Sequence, residues 1–167
     1  MAVTIDGSGS ISGVPGAILQ VVSATKTDTF STTSSSFVDV TDLTVTLTPS
    51  TSSSKILVFA TVNVGSDNGT NRAAIRLVRG STAIAVGAAA GSRILASAAA
   101  SSANDDDVEN LAVSILDSPA TTSATTYKVQ MLGTGTGTVY VNRSTTDTDS
   151  SVFYRTASTI TVIEVAA

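Results

Sequence analysis

The chain contains no cysteine, no histidine and no tryptophan. Without cysteine there is no disulfide to staple a small core and no thiolate nucleophile. Without histidine there is no imidazole to serve as a general base or metal ligand. Charged residues make up 13% and aromatics 4% of the 167 residues. With a net charge of −4, the chain lacks the clustered Lys and Arg that phosphate backbones require, so nucleic acid is not an expected partner. No apolar run is long enough for a membrane-spanning helix, and no membrane partner is expected. MAVTIDGSGS at the start has neither a basic n-region nor an apolar h-region, so it does not read as a signal peptide, and a soluble product made in the cytoplasm is expected.

What the chain does have is Ser and Thr, together roughly a third of the residues, far above ordinary usage. Hydrophobic residues at 42%, rich in Val, Ile and Ala, argue against disorder. Thr and Val both favour strands. The organising stretch is Ser54–Val64, SKILVFATVNV. At a period of two, Ile56, Val58, Ala60, Val62 and Val64 share one face, while Leu57 and Phe59 share the other. Its first half is therefore apolar on both faces, although no amphipathic helix is available to cover the second. The closing run Ser158–Val165 behaves alike, with Ile160 and Val162 on one face and Ile163 and Val165 on the other. A strand apolar on both faces calls for a cover on each. The expected cover is a neighbouring subunit, with Leu57, Phe59, Ile160, Val162, Ile163 and Val165 as candidate interface residues. A homotrimer is the expected assembly, because large exposed apolar patches are unusual on monomers and closed cyclic symmetry resolves them.

The other strand signals are Ala17–Thr25, Phe37–Val40, Leu43–Thr48, Arg72–Arg79, Ala83–Gly87, Val108–Leu116, Thr125–Leu132 and Thr138–Asn142. Gly65–Asn71 and Gly133–Gly137 read as hairpin turns, Ser31–Ser36 as a polar connection, and 88–107 as a long loop with at most a helical turn. In the first strand Ile18 and Val22 are expected on one face, and Leu19 and Val21 on the other. The sum is an all-β, jelly-roll-like β-sandwich of about eight to ten strands over residues 17–167. Residues 1–16 form a separate arm, too sparse in apolar groups to fold alone. Val3, Ile5, Ile11 and Val14 are its candidate contacts, suited to adding a strand to another protein's open sheet edge.

Sites for chemistry are few. Asn104–Asp107 with Glu109 reads as a solvated acidic loop, since adjacent aspartates cannot all converge on one ion. GTGTG at 133–137 has no following helix to receive a pyrophosphate. No cofactor, metal or catalytic residue is expected, and neither is an enzyme.

ILQVVSATKTDTFSTTSSSFVDVTDLTVTLTPSTSSSKILVFATVNV (Ile18–Val64), RLVRGSTAIAVG (Arg76–Gly87), ILDSPATTSATTYKVQ (Ile115–Gln130) and GTVYVNRS (Gly137–Ser144) carry a resemblance. They resemble a domain of structural proteins of tailed bacteriophages, notably at fibre C-termini in phages of cyanobacteria and marine bacteria. The likeness runs through nearly all of Ile18–Ala167 and contains no catalytic motif. It implies a virion surface protein with a trimeric β-rich domain. The short segment before the domain lacks heptads and repeats, so a compact capsid decoration, cement or head-fibre trimer on the major capsid protein is the expected role. The alternative is a short tail fibre that binds a host surface glycan or protein receptor through its loops.

Overall fold

A computed structural model of the chain describes residues 14–67 and 71–167, together with the backbone of β1 (Thr4–Ile5) and β2 (Ile11–Ser12), which pair antiparallel. Eleven further strands follow among the described residues: β3 (Ile18–Lys26), β4 (Phe30–Thr32), β5 (Val38–Leu47), β6 (Lys55–Ser66), β7 (Arg72–Arg79), β8 (Thr82–Ile84), β9 (Ala98–Ala100), β10 (Glu109–Asp117), β11 (Thr125–Thr134), β12 (Val139–Val141) and β13 (Ser158–Val165). They form two antiparallel sheets. The first runs β3-β13-β6-β12-β4 with β10 on β6; the second runs β5-β11-β7-β8 with β9 on β7.

The registers reduce this to eight strand positions. β13 pairs β6 at residues 55–61 and β12 pairs β6 at 64–66, so β12 and β13 are one strand interrupted by residues 142–157. β3 and β4 lie in line beside them. β8 and β9 likewise share one edge of β7, interrupted by residues 85–97. Numbered along the chain, the merged positions read 1-8-3-6 in one sheet and 2-7-4-5 in the other. That order is the folded double Greek key of a jelly roll, the expected fold.

The core lies between the sheets, and strand periodicity fills it. From β6 come Ile56, Val58, Ala60, Val62 and Val64; from β11 come Tyr127, Val129 and Met131, all fully or nearly fully buried. Alternation of side chains across a strand supplies this inner face with no exception along β6. In β5 the parity changes instead. Val38 and Val40 point inward, and so do Leu43, Val45 and Leu47, because four residues (40–43) oppose Val129 alone. Asp42 takes φ +65° in this bulge, a conformation its short polar side chain tolerates. The two expected strands on either side of Asp42 are thus one bulged strand.

Other expectations change for reasons of topology. Gly65–Asn71 and Gly133–Gly137 join strands of different sheets, so they are crossovers and not hairpins. The tight hairpin among the described body residues is β7–β8, with Gly80 at φ +59°. Residues 98–100 of the expected loop form β9, and residues 31–32 of the expected connection join Phe30 in β4, each completing a strand already begun. Ile160 and Val162 are 0% exposed in the core of the single chain, so neither can touch a neighbouring subunit. They pair with Ala60 and Val58, whose parity turns them inward.

Candidate interaction surface

Directly opposed residues of antiparallel strands share a face. Leu57 opposes Leu116 on β10 and Ile163 on β13, and Ile163 opposes Val21 on β3. Leu116, Leu57, Ile163 and Val21 therefore form an apolar row across all four positions of the first sheet, on its outer face. Below it, Val165 opposes Lys55 and Ile18. Above it, Phe59 lies between Ser114 and Thr161. Ile18 is 63% exposed, Leu116 57%, Val21 56% and Phe59 42%; Leu57, Ile163 and Val165 are half-buried. A shallow groove of about 180 Å³ runs beside Phe59 between β6 and β10. Farther along the strands the face becomes polar. Ser23 and Thr161 share a hydrogen bond (2.9 Å), and Asn110 Nδ2 donates to Asn63 Oδ1 (3.0 Å).

Of the interface residues expected from the sequence, Leu57, Phe59, Ile163 and Val165 thus share one outer face. Val21, Leu116 and Ile18 join them there. Ile18 does so through a bulge: Gln20 opposes Glu164 while Ile18 opposes Val165, which places Ile18 on the face of Val21 and not that of Val22. Lys55, with Nζ donating to Ser118 Oγ (2.8 Å), is the charged side chain of these rows and stands at their rim.

The outer face of the second sheet is built differently. Lys128 Nζ and Gln130 Nε2 donate to Asp39 (2.8 and 2.6 Å), and Arg76 Nε donates to Gln130 Oε1 (2.8 Å). Arg76 also stacks on Phe37, 4.2 Å from the ring centre. The hydrogen bonds from Lys128 and Gln130 hold the Asp39 carboxyl below the usual carboxylate range. One face of the sandwich is therefore a linked charged network, and the other is nearly free of charge.

Residues 16–17 and Ala166 meet at the apolar end of the first sheet's outer face. Gly16 N donates to Ala166 O (2.8 Å) and Ala166 N to Ala17 O (2.9 Å), so the segment leading from the arm is tied to the C-terminal residues beside Ile18 and Val165. Val14 is half-buried there. Ile5 opposes Ile11 in the β1–β2 pair; Val3 lies outside the described residues.

At the far end of the strands is the interruption between β12 and β13. Its base is fixed by Asn142, fully buried at φ +66°. Asn142 Nδ2 donates to the carbonyls of Lys26 and Asp28 (both 2.9 Å), and its Oδ1 accepts from Ser158 Oγ (2.6 Å). Asp147 bridges Arg143 (2.6 Å) and Arg155 (2.5 Å), and the hydrogen bond from Arg155 leads the effects that lower its carboxyl pKa. Arg143 stacks on Tyr140. A cleft of about 320 Å³ opens along Asp147, Asp149, Phe153, Tyr154 and Arg155, with Tyr154 strongly exposed. The expected acidic loop lies alongside, where Thr146 N donates to the Asp105 carbonyl (3.0 Å) and Asp107 accepts from Asn104. Among the described residues, no group of three His, Cys, Asp or Glu side chains is placed to hold a metal ion.

No family model matches the chain, and no curated protein matches it. Among solved structures, a chain from the structure of infectious bursal disease virus Gx strain is similar at 13% identity and a TM-score of 0.44. All of this chain aligns to 42% of that one, so it spans less than half of that chain's length.

Proposed function

We propose that the chain is a non-enzymatic structural protein of a tailed-phage virion, a homotrimer that decorates the capsid surface and grips the major capsid protein through residues 1–16. The observation that carries this reading is the polarity of the domain. The segment leading from the arm and the exposed apolar row lie at one end of the strands, and the loops of residues 101–108 and 142–157 lie at the other. Such a body is attached at one end and displays the other. The resemblance of Ile18–Val64 and the later segments to phage structural proteins supports it, as does the jelly roll, an architecture used in viral capsids. A single arm loses on the order of 1 kcal/mol per residue in conformational entropy on ordering. Three arms on one trimer make the later contacts intramolecular, so attachment gains by avidity.

The test is deletion of Met1–Gly13 followed by binding to empty shells. Loss of binding by a folded protein supports the reading; undiminished binding removes it. The cleft beside Tyr154 favours a second reading, a short tail fibre that binds a host surface receptor through the far loops. Copy number per virion separates the two, many copies indicating decoration and few a tail.

A further inference from the structure

We infer that the outer face of the first sheet, centred on the row Leu116–Leu57–Ile163–Val21, is the surface through which copies of this chain associate with one another. The inference deepens the proposed assembly by naming its contact, and it rests on the reading that the chain works as more than one copy.

Three observations select a second copy as the occupant. First, the row is apolar at every strand position, and no charged side chain stands within it. A heterologous partner is usually selected by complementary charge, which both steers the encounter and fixes register. Among the described residues, these rows offer only Lys55 at their rim for that purpose. An uncharged apolar stripe bordered by hydroxyl groups carries no like-charge repulsion, so the same face of each copy can turn toward a common axis of the assembly. Second, the other sheet cannot serve. Its Asp39, Lys128 and Arg76 are already engaged with one another or with Gln130, so stacking there would desolvate satisfied charges. Third, the row adjoins the tie between residues 16–17 and Ala166. Association on this face about an axis parallel to the strands brings the arms of different copies to one end of the assembly, which is the arrangement that attachment by several arms requires.

The area sets the strength. Four strands spaced by about 4.8 Å, with about seven residues each at about 3.4 Å, present roughly 450 Å² per copy. A pair would bury roughly 900 Å², below the ~1,200 Å² of a standard stable interface. Association through the body face is accordingly concentration-dependent, and it tightens when the arms are also held.

The experiment is multi-angle light scattering of the full chain across a concentration series from micromolar upward, for the wild type and three variants. Leu57→Asp lies inside the row and Leu116→Lys at its exposed end. Thr44→Asp on the second sheet is the control. Circular dichroism and a melting curve establish that each variant is folded, and Leu116→Lys, at a strongly exposed position, keeps the test decisive if Leu57→Asp does not fold. The expected result is a wild-type mass that rises above the monomer, row variants that stay monomeric, and a control that follows the wild type. A wild type that remains monomeric throughout overturns the inference and leaves a different virion protein as the occupant of the face. Row variants that associate like the wild type overturn it too, and place the contact in the arm or the loops. Row variants that associate remove this contact and leave the proposed homotrimer standing, a monomeric wild type removes both, and attachment to the capsid is tested separately by binding to shells.

Discussion

The two sheets are tied at one end by a buried cluster whose removal has a calculable cost. Tyr127 on β11 is fully buried, and its hydroxyl donates to Asp117 Oδ2 on β10 across the sandwich (2.7 Å). Arg79 on β7 donates to both oxygens of the same carboxylate (2.7 and 2.8 Å). Tyr127→Phe removes one hydrogen bond to a charged group, worth about 1.5–3 kcal/mol. Asp117 keeps Arg79, so the lower part of that range, about 1.5–2 kcal/mol, is expected. Asp117→Ala is costlier, at about 3–5 kcal/mol, because it strands a buried hydroxyl and leaves Arg79 unpaired. The double variant should cost less than the sum by about 1–2 kcal/mol, since the second change removes a group already without its partner. Urea unfolding at one fixed protein concentration measures all three, the fixed concentration holding any association constant. Burial, followed by the bond to Asp117, pushes the Tyr127 hydroxyl well above its ordinary pKa of 10.0. A raised folded-state pKa contributes stability that is complete below the unfolded value and is lost as pH rises beyond it. Wild-type stability should therefore begin to fall near pH 10, and the part due to Tyr127 should vanish in Tyr127→Phe. A Tyr127→Phe variant within ~0.5 kcal/mol of wild type, with an unchanged alkaline limb, would refute the account.

Glu164 is fully buried and accepts hydrogen bonds from Ser50 N (2.6 Å), Ser50 Oγ (3.1 Å) and Gln20 Nε2 (2.6 Å). Burial acts to raise its pKa, but these bonds, with one from Ser54, outweigh it and hold the carboxyl below its ordinary 4.5. Its contribution is thus complete above pH 4.5 and lost as pH falls through the depressed value; Glu164→Gln should lower stability by about 2 kcal/mol at neutral pH and flatten the acid limb of a denaturation series. At Gly65 a Cβ would overlap the Arg143 carbonyl oxygen and stand 3.0 Å from Ser144 Cα, backbone that cannot turn aside. Gly65→Ala should cost more than about 2 kcal/mol, seen as a lower melting temperature, whereas Gly80→Ala meets open space and costs only the strain of its positive φ.

Much of this was legible because strand periodicity is local. The alternation in Ile56–Val64 named the inner face of β6 residue by residue, and Tyr127, Val129 and Met131 did the same for β11. Leu57 and Phe59 pointed to the apolar outer face of the first sheet for the same reason. What failed was nonlocal. Ile160 and Val162 read as candidate contacts because a strand apolar on both sides does not say which side meets the opposite sheet. Register against Val58 and Ala60 decides it. Ile18 was assigned to the wrong face because the bulge at Leu19 is set by β13, not by β3 itself. In β5 the two short strands expected on either side of Asp42 are one strand, because the bulge there lets both halves turn their apolar residues inward. Hairpins were expected at Gly65–Asn71 and Gly133–Gly137 because Gly and Asn mark a change of direction. They do not reveal whether the chain returns in the same sheet or crosses to the other.

The interrupted strands explain how a small sandwich carries large loops without losing its core. β13 resumes beside β6 on the same edge as β12 after residues 142–157. The core therefore sees one continuous strand, and Val141 and Ile160 both reach the interior. Closing a loop of that size costs on the order of 2 kcal/mol in chain entropy, a term that grows only slowly with length. The three bonds made by the Asn142 side chain are of the size needed to offset it, at about 1 kcal/mol each. The pairs of Asp147 with Arg143 and Arg155 organise the loop farther out but are partly exposed, and such pairs contribute little. The cost of the loop is thus met at its root, inside the sandwich, and not at its surface. Residues 143–157 can change with small effect on the body, provided that Asn142, Ser158 and the close approach at Gly65 are kept. The face formed by Leu116, Leu57, Ile163 and Val21 is instead part of the sheet itself, its geometry fixed by the register of four paired strands. The apolar row and the long loop are therefore under separate physical constraints in this fold, the first bound to the sheet and the second only to its root.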